Sequence, residues 1–168
     1  RNSMYDPSNR HLYQFATTGG YPTWSEANAA AQGLSFQGAT GYLATITSQN
    51  EQNMVSGLGS EGWFGGKDSE VEGEWKWTDG PEVDQVFWDQ GEVDGMYSNW
   101  SFGSPDNYTG SNPSGENCLQ MYDSDAQQSK WNDQNCDAQQ FPNYIAEYGD
   151  NTDVVSLNYK NVNIHVTE

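Results

Sequence analysis

Trp131-Asn132-Asp133 stands three residues ahead of Cys136, and Glu116-Asn117 stands directly ahead of Cys118; how these two stretches are joined decides the fold. The chain has only these two cysteines, 18 positions apart, so at most one bridge can form. Paired, they would draw Glu116-Asn117 towards Asn132-Asp133 and imply an oxidising, extracellular setting. Unpaired, they are two small core residues. With His11 and His165 far apart in sequence, the two thiols cannot complete a four-ligand zinc site. Ser104-Pro105-Asp106-Asn107 supplies a further acid. Asp106, Glu116, Asn132 and Asp133 then offer carboxylates and an amide carbonyl, the hard oxygen ligands that suit Ca2+ and its coordination by six to eight oxygens. The bland alternative is a solvated acidic loop, because the chain carries 24 Asp and Glu.

That excess over 6 Lys and Arg gives a formal net charge of −18 in 168 residues. Nucleic acid, phosphate-rich ligands and anionic membrane surfaces are therefore poor partners, since binding them needs clustered cations. No apolar run is long enough to insert into a bilayer. The length fits one domain with a short appendage, read as part of a larger multidomain chain. Leu, Ile, Val and Phe supply only 24 residues, which with this charge would suggest disorder. Seven Trp and ten Tyr reverse that reading and predict a small aromatic core carrying long polar loops.

Along the chain, residues 1–11 read as a polar lead-in and Leu12–Ala16 as a first strand. Thr23 and Glu26 form a capping box ahead of a helix whose apolar face is Ala27, Ala30, Ala31 and Leu34. Tyr42–Ile46 is a strand. Ser48 and Glu51 form a second capping box, before a helix with Met54, Val55 and Leu58 as its buried stripe. Short strands follow at Trp63–Gly65 and Glu74–Thr78, then a long loop from Pro81 to Gly115. A loop of that length in a compact domain is normally functional. Cys118–Tyr122, Lys130–Asn132 and Tyr144–Tyr148 close the domain. Residues 149–168 read as an extension, a hairpin or edge strand with Val155, Leu157, Val162, Ile164 and Val166 alternating. Trp75, Trp77, Trp88 and Phe141 are assigned to core or rim packing.

In this order, from Leu12 to Tyr148, the parts resemble a C-type lectin-like domain. Trp24-Ser-Glu-Ala27 resembles that family's first helix, Trp63-Phe-Gly-Gly66 its Trp-Ile-Gly-Leu motif, Trp131-Asn132-Asp133 its calcium motif, and Pro105 its proline, which is cis in the family. The resemblance implies an α+β fold with two helices, two small antiparallel sheets and a long calcium-binding loop region. It implies a Cys118–Cys136 disulfide and a primary Ca2+ site at Ser104, Asp106, Glu116, Asn132 and Asp133. A second ion site would use Asp68, Glu72, Asn107, Glu116 and Asn117. Asp106, Glu116, Asn132 and Tyr108 would contact a bound sugar.

Two departures from the family carry consequences. Ser104-Pro105-Asp106 stands where members read Glu-Pro-Asn or Gln-Pro-Asp, and Ser104 is too short to copy the longer ligand. The outer disulfide positions match Ala31 and Ala146, a paired loss that forgoes about 4–5 kcal/mol of loop-closure stabilisation. Asp106 follows the galactose-type pattern, Tyr108 falls where those members pack a Trp on the sugar, and residues 109–115 resemble their glycine-rich insertion. The implied function is calcium-dependent binding of cell-surface glycans for adhesion, with galactose or fucose ahead of mannose. A protein or ice ligand on the same loops is the alternative. Both histidines lie in terminal segments, so no Ser-His-Asp set is suggested and the chain is not read as an enzyme. Composition and the lost disulfide look like the carbohydrate-binding module of a large bacterial RTX-type surface adhesin, placing it outside the cell on the surface.

Overall fold

The computed structural model describes residues 2–122 and 129–149. The predicted C-terminal extension, a hairpin or edge strand, lies outside them from residue 150 on. The chain opens with β1 (Ser3–Asp6), β2 (His11–Thr17) and α1 (Trp24–Gln32), followed by β3 (Ser35–Phe36), β4 (Ala39–Thr40), β5 (Tyr42–Leu43) and α2 (Gln49–Ser56). It continues through β6 (Gly62–Lys67), β7 (Glu74–Trp77), β8 (Val86–Asp89), β9 (Cys118–Tyr122), β10 (Lys130–Gln134) and β11 (Asn143–Tyr148). The α+β class holds, and both helices fall where the capping residues place them. Thr23 and Glu26 cap α1 reciprocally, and the α1 face buries Trp24, Ala27 and Ala31.

Five local expectations are corrected. Residues 3–6, read as lead-in, pair antiparallel with β2. Val86–Asp89, read as loop, pairs with β7 as β8. The Tyr42–Ile46 strand is confined to Tyr42–Leu43. The buried face of α2 is Glu51, Gln52 and Val55, with Met54 and Leu58 only half-buried. Glu51 does not complete a capping box either: Ser48 accepts from its N–H, but its carboxylate turns inward.

The strands form a large sheet and a small second one. Nine strands form one branched network with a central path β1-β2-β11-β6-β7-β8, while β3 and β4 make a separate ribbon. The fusion occurs at β6, which pairs parallel to β11, antiparallel to β7, and antiparallel to β9 with a register break between Trp63 and Lys67. Gly65 permits this crowding, because a Cβ there would lie 2.5 Å from the Leu43 carbonyl oxygen.

Aromatic rings dominate the core, as the composition predicts. Trp77 stacks on Phe87 at 4.1 Å. Trp131 packs against Phe64 at 5.4 Å, Phe87 at 5.7 Å, Trp77 at 5.8 Å and Trp100 at 6.0 Å. Trp75, Trp77 and Phe141 are buried, and Trp88 is half-buried at the rim. Ala31 and Ala146 lie fully buried in one apolar cluster with Trp24, Tyr144 and Tyr148.

A second buried element is ionic. His11 Nδ1 lies 2.7 Å from Glu147 Oε1. The other Glu147 oxygen accepts the N–H and hydroxyl of Thr45. Glu51 accepts from Tyr13 and Asn9 on one oxygen and from Thr47 and Ser48 on the other. All four carboxylate oxygens are thus satisfied. Burial alone would lower the His11 pKa, but the bond to Glu147 and the charges of Glu147, Glu82 and Glu51 outweigh it and shift it upward.

His11→Ala should therefore strand Glu147, fully buried, without its cation and cost about 3–5 kcal/mol in urea denaturation. Because the His11 pKa is raised on folding, its contribution is complete below the ordinary value of 6.5 and lost as pH rises through the raised one. The stability gap between wild type and variant should narrow as pH rises above the ordinary histidine value of 6.5. A gap that widens over that range contradicts the charge assignment.

Candidate cation and ligand site

The long loop from 90 to 117 is held to the domain through Trp100. Trp131 N–H donates to the Asn99 carbonyl at 2.9 Å, and Ser101 N–H donates to the Trp131 carbonyl at 2.8 Å. Trp131 in turn donates its indole N–H to Gln52 at 2.8 Å. Gln52 also donates to the Ser129 carbonyl, so α2 helps set the position of β10. This brings the cis Ser104-Pro105 corner beside Asn132 and Asp133.

From there the site is tied by side chains. Asp133 is fully buried, and its Oδ2 accepts the N–H of Asp106 at 2.9 Å and of Asn107 at 2.7 Å. Its Oδ1 is buried with no hydrogen-bond partner. The disulfide between Cys118 and Cys136 joins the end of the Glu116-Asn117 segment to the chain after β10. Glu116 N–H donates to Asn107 Oδ1 at 2.9 Å, and Glu116 Oε2 accepts the Tyr108 N–H at 3.3 Å. Carboxylate oxygens of Asp106, Glu116 and Asp133 all lie within 4.8 Å of one another.

Ser104 is hydrogen-bonded on both sides of its hydroxyl. Its hydroxyl donates to Asn132 Oδ1 at 2.9 Å and accepts from the Ser101 hydroxyl at 3.0 Å. Asn132 Nδ2 donates to Gln120 Oε1 at 3.1 Å. The Asn132 carbonyl keeps its second lone pair for another partner. Ser101 and Gln120 were not singled out from sequence. The period-two pattern of β9 already puts Gln120 on one face with Cys118, the only local sign of it.

The second set lies alongside. Asp68 is 3% exposed, accepts the Gly73 N–H at 2.9 Å through Oδ2, and leaves Oδ1 without a partner. Asn117 Oδ1 is likewise buried and unpartnered. Glu72 is exposed beside them, while the Asn107 carbonyl is engaged by Glu116.

Electrostatics register the crowding. Burial first, then the charges of Asp133 and Asp106, push the Glu116 carboxyl up to about 7. Burial, then Glu72 and Asp133, push Asp68 up to about 6. Asp133 is also raised, chiefly by burial. Converging carboxylates with raised pKa values and three buried acceptor oxygens lacking donors form a donor set that a hard divalent cation such as Ca2+ fits. The His11–Glu51–Glu147 cluster is the other group of metal-ligating types among the described residues, and it has no such open acceptor.

Residues 22–142 match the Lectin C-type domain model, and the chain belongs to that family. It is 34% identical over 157 residues to Halomucin of Haloquadratum walsbyi, a match covering 92% of this chain but 2% of that protein. The mouse scavenger receptor C-type lectin carbohydrate-recognition domain superposes with a TM-score of 0.61 at 28% identity, covering 88% of this chain and 94% of that one. Herring type II antifreeze protein shares the fold at 23% identity and TM-score 0.59, covering 87% and 94%. So does the Ca2+-independent C-type lectin SPL-2 from Saxidomus purpuratus at 20% and 0.58, covering 87% and 90%.

Two outcomes follow from the cluster. Asp106 is exposed, so Asp106→Ala should fold normally yet weaken calcium binding by about tenfold or more, the loss that even outer-shell changes bring. Calorimetric titration showing wild-type affinity would contradict this. Because protons compete for Glu116 and Asp68, calcium affinity should also fall as pH drops from about 7.5 to about 5.5. Without calcium the sign for stability is opposite. These groups are raised on folding, so their contribution is complete below the ordinary carboxylate values and lost as pH rises through about 6 to 7. A calcium affinity that is flat across that range rejects the assignment.

Proposed function

We propose that this domain is a calcium-dependent carbohydrate-binding module. The carrying observation is the convergence of Asp106, Glu116 and Asp133 at the cis Ser104-Pro105 corner, with Asp133 Oδ1 lacking a donor. Asp106, Glu116, Asn132 and Asp133 would hold the ion, with Ser104 orienting the Asn132 carbonyl. Asp68, Glu72, Asn107 and Asn117, with Glu116, make an accessory site. When bound, calcium would supply a Lewis-acidic centre able to take sugar hydroxyl oxygens as ligands. Asp106 and Glu116 would accept hydrogen bonds from those hydroxyls, and the Asn132 amide has a second N–H to donate. Tyr108 is 57% exposed and offers its ring to an apolar sugar face.

The acceptor directly after Pro105 favours galactose or fucose over mannose. The carbohydrate-recognition domain of the mouse scavenger receptor, at 28% identity, supports a sugar ligand. In its setting the domain is a binding module of a larger extracellular surface chain acting in adhesion, of the RTX-adhesin kind. The chain spans 2% of Halomucin, which accords with a module inside something far longer. A protein or ice ligand is the second reading, favoured by the Ser104 hydroxyl on the Asn132 carbonyl, which occupies one of its lone pairs.

A glycan array probed in calcium and again in excess EDTA tests the proposal. Galactose- or fucose-terminated glycans should bind in the first arm and none in the second. Binding that survives EDTA removes the calcium role, and no glycan bound in either arm removes the sugar.

A further inference from the structure

Away from both ion sites, the turn at 82–85, β7, β8 and the loop at 95–97 enclose a cleft of about 320 Å3, the size at which small-molecule sites begin. Its inner end is aromatic. Trp77 and Phe87 are each 1% exposed and stack on one another at 4.1 Å. Half-buried Tyr97 and exposed Met96 flank its mouth. Tyr97 is fixed there, because its hydroxyl donates to Gln49 Oε1 at 3.2 Å and its ring meets Trp131 edge-on at 5.8 Å. The turn is fastened to β7 as well: Asp84 N–H donates to the Trp77 carbonyl at 2.9 Å, and Trp77 N–H donates to the Gln85 carbonyl at 3.2 Å.

Glu82 is the one acidic group of this lining, which contains no Lys or Arg. Its Oε2 accepts the Thr45 hydroxyl at 2.8 Å, a donor it shares with Glu147 at 3.1 Å. A hydroxyl has one proton to give, so Glu82 is short of donors. Among the described residues no Lys or Arg pairs with it, and His11, whose charge it feels, is bonded to Glu147 instead. A calcium ion would not be satisfied here, since it takes six to eight oxygens and a single carboxylate stands among rings. A weakly hydrated organic cation would be, because aromatic rings within about 6 Å attract it and the carboxylate neutralises it. The chain's net charge of −18 adds a field of the same sign.

We propose that this cleft binds a small methylated ammonium ion, its N-methyl groups against Trp77, Phe87 and Tyr97 and its charge facing Glu82. The cleft shares no residue with either ion site, so its occupancy is independent of the sugar reading. Calorimetric titration, in calcium and again in EDTA, would compare choline with ethanolamine and with 3,3-dimethyl-1-butanol, which has choline's shape without its charge. Choline should bind about tenfold tighter than the neutral isostere in both conditions, the gain of a desolvated cation over aromatic rings. Glu82→Gln keeps an acceptor for Thr45 and should lower choline affinity about tenfold while leaving the isostere unchanged. Should Glu82→Gln fail to fold, Met96→Lys, which sets a positive charge at the exposed mouth, should weaken choline selectively in the same way. Equal affinity for choline and the isostere, or choline binding indifferent to these variants, overturns the cation site. Ethanolamine binding tighter than choline overturns the methylated assignment. Absence of choline binding overturns the proposal even where glycans bind, whereas choline bound with the expected selectivity upholds it even where no glycan does.

Discussion

The carboxylate of Asp133 is the constraint on which the site depends. It is fully buried in β10, and one of its oxygens receives two backbone N–H groups from the far side of the cis proline. A buried charge is tolerated only when hydrogen-bonded or paired. The loop and the strand therefore need each other: Asp133 requires the donors at 106 and 107, and those residues have their backbone placed by Asp133. The aromatic core makes this possible, because Trp131, two residues earlier, fixes the strand between Phe64, Trp77, Phe87 and Trp100. Packing energy collected by large rings thus sets the position of a polar loop that buries little surface itself.

The two acidic clusters resolve like-charge repulsion in opposite ways. At Glu51 and Glu147 the positive charge is internal, supplied by His11, and every oxygen has a donor. At Asp106, Glu116 and Asp133 no cationic side chain is near enough to form an ion pair among the described residues, and one oxygen of Asp133 is left open. The upward shifts of Glu116 and Asp133 are the energetic trace of that difference. Without an internal cation, such a cluster is destabilised by its own repulsion as it ionises, and an external divalent ion would relieve it. That contrast distinguishes the two clusters more sharply than acid content, which is high everywhere in this chain.

Where local chemistry decides the structure, the sequence is legible. Thr23 and Glu26 announce α1, and the strands read at 118–122 and 144–148 are β9 and β11. The spacing of Glu116, Asp133 and the cysteines carries most of the site. Tertiary partners decide the rest. Val86–Asp89 is too short and too closely flanked by Asp, Gln and Gly to stand out; it becomes β8 because Trp75 and Glu74 of β7 pair with it. Glu51 has the spacing of a capping residue, but Tyr13 and Asn9 from the other end of the chain draw its carboxylate inward. Ser104 looks like a shortened ligand, and only the proximity of Asn132 makes it an orienting donor. The fusion of the sheets at β6 depends on glycines whose meaning is visible only once Leu43 is seen against them.

The same aromatic economy bears on the missing outer bridge. Ala31 and Ala146 sit where a disulfide would tie α1 to β11, and both are sealed in an apolar cluster instead. Other ties close the same seam: the Trp24 N–H donates to the Cys136 carbonyl, the Trp24 indole to the Phe64 carbonyl, and the Trp63 indole to the Pro22 carbonyl. Each indole adds apolar burial to a satisfied hydrogen bond, so α1 is fastened to β6 and to the chain beyond β10 by contacts that do not depend on redox conditions. The remaining disulfide lies next to the site rather than at the chain ends. It joins Cys118, adjoining Glu116-Asn117, to Cys136, whose carbonyl also anchors the start of α1. Covalent restraint is thus concentrated where the acidic loop has least apolar surface to hold it, and packing serves elsewhere.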